Sequence, residues 1–255
     1  MAAKSLKKFK NVQISQQEID DFKRAIAQGN IEAVERVLIV YGVFCSEQFL
    51  LHPPIVLAAT NENNLEIMKL LIQHNASVND MDERGRTPLM VASLLRNREI
   101  MKYLIENKGD IYLLDNDKNT GLHYLINNIK DEELGIMDEF KDNYIYNLLD
   151  EVNNLGKTAL HIAIAEKNVN LVKKLLEIGS SVESRDLDGN SPFLLACCNG
   201  NIDIIKLILT HKPSSIDDTY VQLSIFLNFI FLFFFILWLG INKICNGIQV
   251  KIIQN

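Results

Sequence analysis

The sequence predicts an all-α fold: a solenoid of stacked helix-turn-helix units joined by short hairpin-like turns, followed by a C-terminal hydrophobic helix. Three observations carry this. A short segment recurs with a period near 33 residues. Each full copy opens on a polar turn, and a Thr or Ser follows at the start of an apolar run. Two apolar stripes of helical period follow within each copy. The chain has 255 residues, 48% of them hydrophobic, enough to bury the extended core such an array needs.

The recurrence is read directly. Residues 82–93 run DERGRTPLMVAS, 115–126 DNDKNTGLHYLI, 153–164 NNLGKTALHIAI and 186–197 DLDGNSPFLLAC. The hydroxyl residues Thr87, Thr120, Thr158 and Ser191 are therefore spaced by 33, 38 and 33. An earlier copy runs from Pro53 and Pro54 to Ala58 and Ala59, with Pro54 lying 34 residues before Pro88. The stretch from Phe22 to Leu38 keeps only the helical half.

Each part of the unit has a physical reason. The Thr or Ser hydroxyl can accept a backbone N–H at a helix start, and Pro fits the first helical position because its missing N–H is not needed there. Small alanines on the first helix let a neighbouring helix approach closely. A polar break such as Asn199-Gly200-Asn201 separates a second helix. Its apolar residues recur at helical spacing, as in Leu171, Val172, Leu175 and Leu176, or Ile202, Ile205, Leu207 and Ile208. Gly179 stands where a C-terminal cap belongs. A helix pair of this length cannot bury its apolar face alone, and stacking on its neighbours solves that.

This pattern resembles the ankyrin repeat, with its period near 33 and its Thr-Pro-Leu-His-x-Ala signature. The resemblance covers residues 19–216. The expected organisation is a basic N-terminal segment at 1–18 and an array of about six units at 19–218. The units are 19–48 (a degenerate cap), 49–81, 82–114, 115–152 (degenerate and longer), 153–185 and 186–218. A hydrophobic tail at 219–255 follows. The resemblance implies that His123 and His161, in the Leu-His step, bond to the backbone of neighbouring turns rather than act in catalysis.

Departures mark particular units. The fourth has Lys118 in the Gly place and Gly121 in the Pro place, lacks the Ala pair, and is five residues longer. The excess falls between Asn127 and Asp150, around Phe140, Tyr144 and Tyr146, and reads as a lengthened second helix or an inserted turn. It is either a degenerate internal repeat or a bulge that serves a partner. The second unit has one extra residue around Thr60 to Asn64. The first, behind Lys7, Lys8 and Lys10, reads as the polar cap that such arrays require.

Several function classes are excluded by composition. A formal net charge of −6 argues against a nucleic-acid footprint, since the basic cluster Lys4, Lys7, Lys8 and Lys10 is short. Cys45, Cys197, Cys198 and Cys245 form no CxxC pair and no Cys/His cluster of metal spacing. They read as reduced thiols of a cytosolic protein, with Cys197 and Cys198 in the core. The N-terminus shows no apolar leader, so the sequon Asn75-Ala76-Ser77 is expected to stay unmodified. There is no phosphate loop, no HExxH and no GxSxG. The expectation is a non-enzyme with no catalytic residues, no metal and no cofactor.

What remains is a surface for another protein. The resemblance implies that partners touch turn tips and the exposed end of the first helices. Mapped onto this chain, the candidates are Glu83, Arg84, Arg86, Leu94 and Leu95, then Asn116, Asp117 and Asn119. They continue with Asn154, Leu155 and Lys157, and end with Leu187, Asp188, Asn190 and Asn199. Among these, Leu94, Leu95, Leu155 and Leu187 are apolar at positions expected to be exposed, where interface anchors form. Isolated surface leucines are also ordinary, and Leu94 and Leu95 could instead pack on the next unit.

The tail admits three readings. Residues 223–241 are nearly continuous apolar sequence, which as a helix would span about 28 Å, close to a bilayer's hydrocarbon core. Trp238 sits near one end, and Lys206 and Lys212 balance Lys243 and Lys251, so charge gives no orientation. This is a membrane anchor with the repeats in the cytoplasm. Alternatively, 25 of the 33 residues from Leu223 to Asn255 are Phe, Ile, Leu, Asn or Lys, as translation into an AT-rich intron would give. The third reading is a buried final helix. Two functions follow: a protein-interaction scaffold or adaptor, soluble or tethered, or the cytosolic ankyrin portion of a channel-like or tail-anchored membrane protein.

Overall fold

The structure is a computed structural model that describes residues 15–41, 53–127, 129–143 and 145–211. Among them there is no strand; the chain is a succession of short helices. The first unit holds α1 (Gln16–Ala27) and α2 (Ile31–Tyr41), and the second α3 (Pro54–Ala58) and α4 (Leu65–Gln73). The third holds α5 (Pro88–Leu94) and α6 (Arg98–Glu106). The fourth has α7 (Gly121–Ile126), a 3₁₀ stretch over Asp131–Asn143 and α8 (Ile145–Leu148). The fifth holds α9 (Ala159–Ala165) and α10 (Val169–Ile178), and the sixth α11 (Pro192–Asn199) and α12 (Ile202–Thr210). First helices pack on first helices along the array, and second helices form a second layer behind them.

Side chains cap both layers. Thr87, Thr120, Thr158 and Ser191 accept from the backbone N–H three residues on, at 3.3–3.5 Å. Asn30, Asn97, Asn168 and Asn201 do the same for second helices, at 2.9–3.2 Å. Each such cap is worth about 1 kcal/mol. In α1, Ser15 and Glu18 cap each other reciprocally, and Tyr41 of α2 donates to Glu18 at 2.7 Å.

The core runs between the layers. Leu171, Val172, Leu175 and Leu176 are buried as the periodicity predicts. Gly179 caps α10 at φ 111°. Three expectations need correction. In α12 the buried residues are Ile204 and Ile208, whereas Ile202 is exposed at its first turn. The Ser191-Pro192 start sets the register of α11 so that Ala196 turns inward; Cys197 is then half-buried and Cys198 exposed, rather than both lying in the core. The cap face of α2 is less polar than expected, because Ile31, Ile39 and Val40 are exposed.

The longer fourth unit replaces a single second helix with the 3₁₀ stretch and the one-turn α8. It still buries Ile129, Met137, Leu148 and Leu149. Its entry is held from both sides: Arg96 of the third unit donates to the Asn127 carbonyl at 3.0 Å and pairs with Glu133 at 3.2 Å. From the fifth unit, Asn168 donates to the Ile129 carbonyl and Asn170 to Asp131. The second unit's extra residue also has a visible effect. In the first, third, fifth and sixth units the turn joining first to second helix uses a left-handed residue (Gly29, Arg96, Lys167 and Gly200), whereas Thr60–Asn64 uses none.

Candidate functional site: a row of finger turns beside the first helices

Four turns of one design project between units: Asp82–Arg86, Asp115–Asn119, Asn153–Lys157 and Asp186–Asn190. In each, the first residue's N–H donates to the fifth residue's carbonyl, and the fourth residue's N–H returns to the first residue's carbonyl. The first side chain braces the loop from inside. Asp82 accepts from the N–H groups of Arg84 and Arg86 at 3.0 and 2.8 Å, and Asp115 from Asp117 and Asn119 at 2.9 and 2.7 Å. Asn153 accepts from Leu155 and Lys157, and Asp186 from Asp188 and Asn190. In three of the fingers the fifth side chain closes the bracket: Arg86 meets Asp82 at 2.7 Å, and the amides of Asn119 and Asn190 reach Asp115 and Asp186. Burial pulls the Asp82 carboxyl up, but the Arg86 and Arg84 donors outweigh it and hold the group below the usual carboxylate range.

The fourth position of each finger is left-handed, at φ 75°, 59°, 69° and 81° for Gly85, Lys118, Gly156 and Gly189. Glycine suits it twice over, because a Cβ on Gly85 would lie 2.7 Å from the Asn116 side chain and one on Gly156 2.7 Å from the Leu187 nitrogen.

Neighbouring fingers are tied into a ladder. The Asn116 N–H donates to the Arg84 carbonyl, Asn154 to Asp117 and Leu187 to Leu155, at 2.9, 2.8 and 3.1 Å. Two side-chain amides double it: Asn116 to the Glu83 carbonyl and Asn154 to the Asn116 carbonyl. The histidines add the next tie. Thr120 and Thr158 donate their N–H groups to Nδ1 of His123 and His161. Nε2 therefore carries the proton and donates to the Lys157 and Asn190 carbonyls, both at 3.1 Å. Burial lowers both imidazole pKa values, keeping the rings neutral.

The candidate residues accordingly divide. Glu83, Arg84, Asn116, Asp117, Asn154, Leu155, Leu187, Asp188 and Leu95 are exposed. Arg86, Asn119, Lys157, Asn190 and Asn199 are half-buried. Arg86, Asn119 and Asn190 brace their own fingers, the Lys157 carbonyl receives His123, and Asn199 donates to the Ile164 carbonyl. Leu94 is half-buried, not exposed, because it lies on the last turn of α5 while Leu95 caps that helix. Leu95 borders an open hollow of about 370 Å³ with Ala27, Thr60, Asn61, Glu62 and Asn97.

A second set was missed in the sequence. The residue after the His place in the first helices of the second to sixth units is Leu57, Val91, Tyr124, Ile162 or Leu195. All but the buried Val91 are half-buried, forming an uncharged stripe beside the fingers. Tyr124 points its hydroxyl to the Asp115 carboxylate at 2.6 Å, and burial together with that bond raises its pKa. The signal was available, since this place is apolar or aromatic in five units running. Among the described residues no cluster of His, Cys, Asp and Glu could hold a metal. Nor is any described helix long and apolar enough to cross a membrane; the run 223–241 lies outside the described residues.

Comparisons with known proteins agree with this geometry. A family model for ankyrin repeats in three copies matches residues 22–115, 55–186 and 122–221. An ankyrin repeat protein of Fowlpox virus (strain NVSL) is 29% identical over 147 residues, covering 57% of this chain and 99% of the viral one. A palmitoyltransferase of Homo sapiens is 32% identical over 153 residues, 60% of this chain and 24% of the enzyme. A transient receptor potential cation channel, also of Homo sapiens, is 27% identical over 150 residues, 56% of this chain and 13% of the channel. The matched stretch thus spans almost all of the first viral relative but only a small part of the two human proteins.

Proposed function

The chain belongs to the ankyrin-repeat family, and from that premise we propose that it is a non-catalytic scaffold or adaptor that holds a partner protein in the cytoplasm. Ankyrin repeats are a protein-interaction module, and the family is typically non-catalytic; related enzymes such as the palmitoyltransferase have other domains. The observation that carries the reading is the braced row of fingers beside an uncharged, half-buried stripe. Rigid tips and a preformed surface lower the ordering cost of association. Contacts are assigned to the exposed tips Glu83, Arg84, Asn116, Asp117, Asn154, Leu155, Leu187 and Asp188, to Leu95, and to the stripe Leu57, Tyr124, Ile162 and Leu195. Arg86, Asn119, Lys157, Asn190, Leu94 and Asn199 support that surface from behind.

The test is affinity capture of the intact chain from its own cells, with variants on either side. A specific protein retained by the wild type and by Lys173→Glu on the second-helix layer, but lost with Asp117→Lys/Asp188→Lys, is the expected result. Retention by all three, or by none, sinks the assignment of this face. A second reading, the cytosolic part of a membrane-bound protein, is favoured by the apolar run 223–241. Resistance of the intact chain to alkaline extraction from membranes would support it, and release would remove it.

A further inference from the structure

The ladder of finger side chains stops at the sixth unit. Asn116 and Asn154 each donate a side-chain amide to the carbonyl of the residue in the same place on the preceding finger, Glu83 and Asn116. In the sixth finger that place is Leu187, which has no amide, so the Asn154 carbonyl gains no such bond. Leu187 is 76% exposed, and Leu155 beside it is 57% exposed. The Leu187 N–H donates to the Leu155 carbonyl at 3.1 Å, which fixes the two residues side by side. The backbone that carries both leucines is held, because Asn153 and Asp186 brace the loops from inside and Gly156 is packed against the Leu187 nitrogen.

The same two fingers and the segments leading into them are acidic. Residues 150–157 and 183–190 hold five carboxylates (Asp150, Glu151, Glu183, Asp186 and Asp188) against two cations, Lys157 and Arg185. Arg185 is engaged with the Gly189 carbonyl at 2.9 Å, and Lys157 is half-buried. A rigid apolar pair with an open carbonyl beside it, set in a field of negative charge, selects one kind of occupant.

Resting on the adaptor reading, we infer that the tips of the fifth and sixth fingers are the anchor for a partner polypeptide segment with an aliphatic or aromatic side chain flanked by Lys or Arg. The apolar side chain lies on Leu155 and Leu187, a partner backbone N–H donates to the Asn154 carbonyl, and the flanking cations face the exposed carboxylates of Asp188, Asp150 and Glu151.

The test pans a phage-displayed library of random peptides against the intact chain. Enrichment of peptides with an apolar residue between basic ones is expected, and their binding should weaken as salt is raised. The decisive variant is Leu187→Asn, which restores the asparagine of the ladder and so keeps the finger intact; thermal melting checks this. Binding of the enriched peptides should drop at least about tenfold in Leu187→Asn and stay unchanged in Lys173→Glu. Enrichment of acidic or uncharged peptides, equal binding to wild type and Leu187→Asn, or no enrichment at all overturns the inference. If the cellular partner is still lost with Asp117→Lys/Asp188→Lys while Leu187→Asn changes nothing, this anchor fails and the adaptor reading stands.

Discussion

The Nε2–H of His123 donates to the Lys157 carbonyl at 3.1 Å, so a side chain of the fourth unit holds the finger of the fifth. His161 repeats the arrangement one unit on, reaching the Asn190 carbonyl. The units of this array are therefore coupled by buried polar ties as well as by apolar stacking. Where the histidine place holds another residue the tie changes: Met90 brings its sulfur within 3.4 Å of the Thr87 nitrogen, and Leu194 is exposed.

Replacing His161 by Ala should destabilise the array by about 1–3 kcal/mol, because it strands the buried Thr158 N–H and removes the donor to Asn190. Urea unfolding checks this. Faster amide exchange at the sixth finger than at the third is the expected companion; uniform loosening would argue against a local tie.

Acid should weaken the array over the range where an ordinary imidazole titrates. Burial lowers the folded pKa of His123 and His161, so below about pH 6.5 the unfolded chain binds more protons than the folded one. Stability is then present above the unfolded pKa and lost as pH falls through it towards the folded one. Melting at pH 7 and pH 5 should differ, and the difference should shrink in His123→Gln/His161→Gln. Asp82 adds an acid loss of the same sign at lower pH, since its folded pKa lies below the usual carboxylate range.

Lys118→Gly should stabilise the array by about 1 kcal/mol, because Lys118 holds a left-handed φ of 59° that glycine adopts without steric penalty. Gly156→Ala should act oppositely, with a loss of about 2–4 kcal/mol, since its Cβ would meet the Leu187 nitrogen at 2.7 Å. Equal and opposite small effects would show that the finger backbone is softer than the ladder implies. Chemical denaturation of the two variants in parallel decides it.

Arg96→Ala should loosen the entry to the fourth unit, because Arg96 holds both the Asn127 carbonyl and Glu133. Hydrogen exchange should rise over 129–137 and stay unchanged over 171–176. No change at 129–137 would assign that entry to Asn168 and Asn170 instead.

The repeat and its helix pairs were legible because capping and burial recur at fixed places: Thr87, Thr120, Thr158 and Ser191 begin helices, and Leu171 and Leu175 face the core. The role of His123 was legible only through resemblance, since its partner is a carbonyl 34 residues away. Two kinds of detail were harder to read. Whether Leu94 or Leu95 is exposed depends on helix register at a terminus, which composition does not set. The bracing roles of Arg86, Asn119 and Asn190 come from a five-residue loop whose closure shows only in three dimensions, so residues of a contact-prone turn proved to be its internal struts. The stripe Leu57, Tyr124, Ile162 and Leu195 is uncharged like the core beside it, and only half-burial separates it from Leu122 and Leu160.

A partner protein bound across the finger tips and first helices would lie against Leu95, Ile162 and Leu187. The most direct measurement places a photo-crosslinking amino acid singly at Leu95, Ile162 or Leu187, and at Lys173 or Lys206 on the second-helix layer, in the intact chain within its own cells. One and the same protein adduct is expected from the first three positions and none from the last two. Adducts of equal yield from both layers, or an adduct from Lys173 and Lys206 alone, would contradict it.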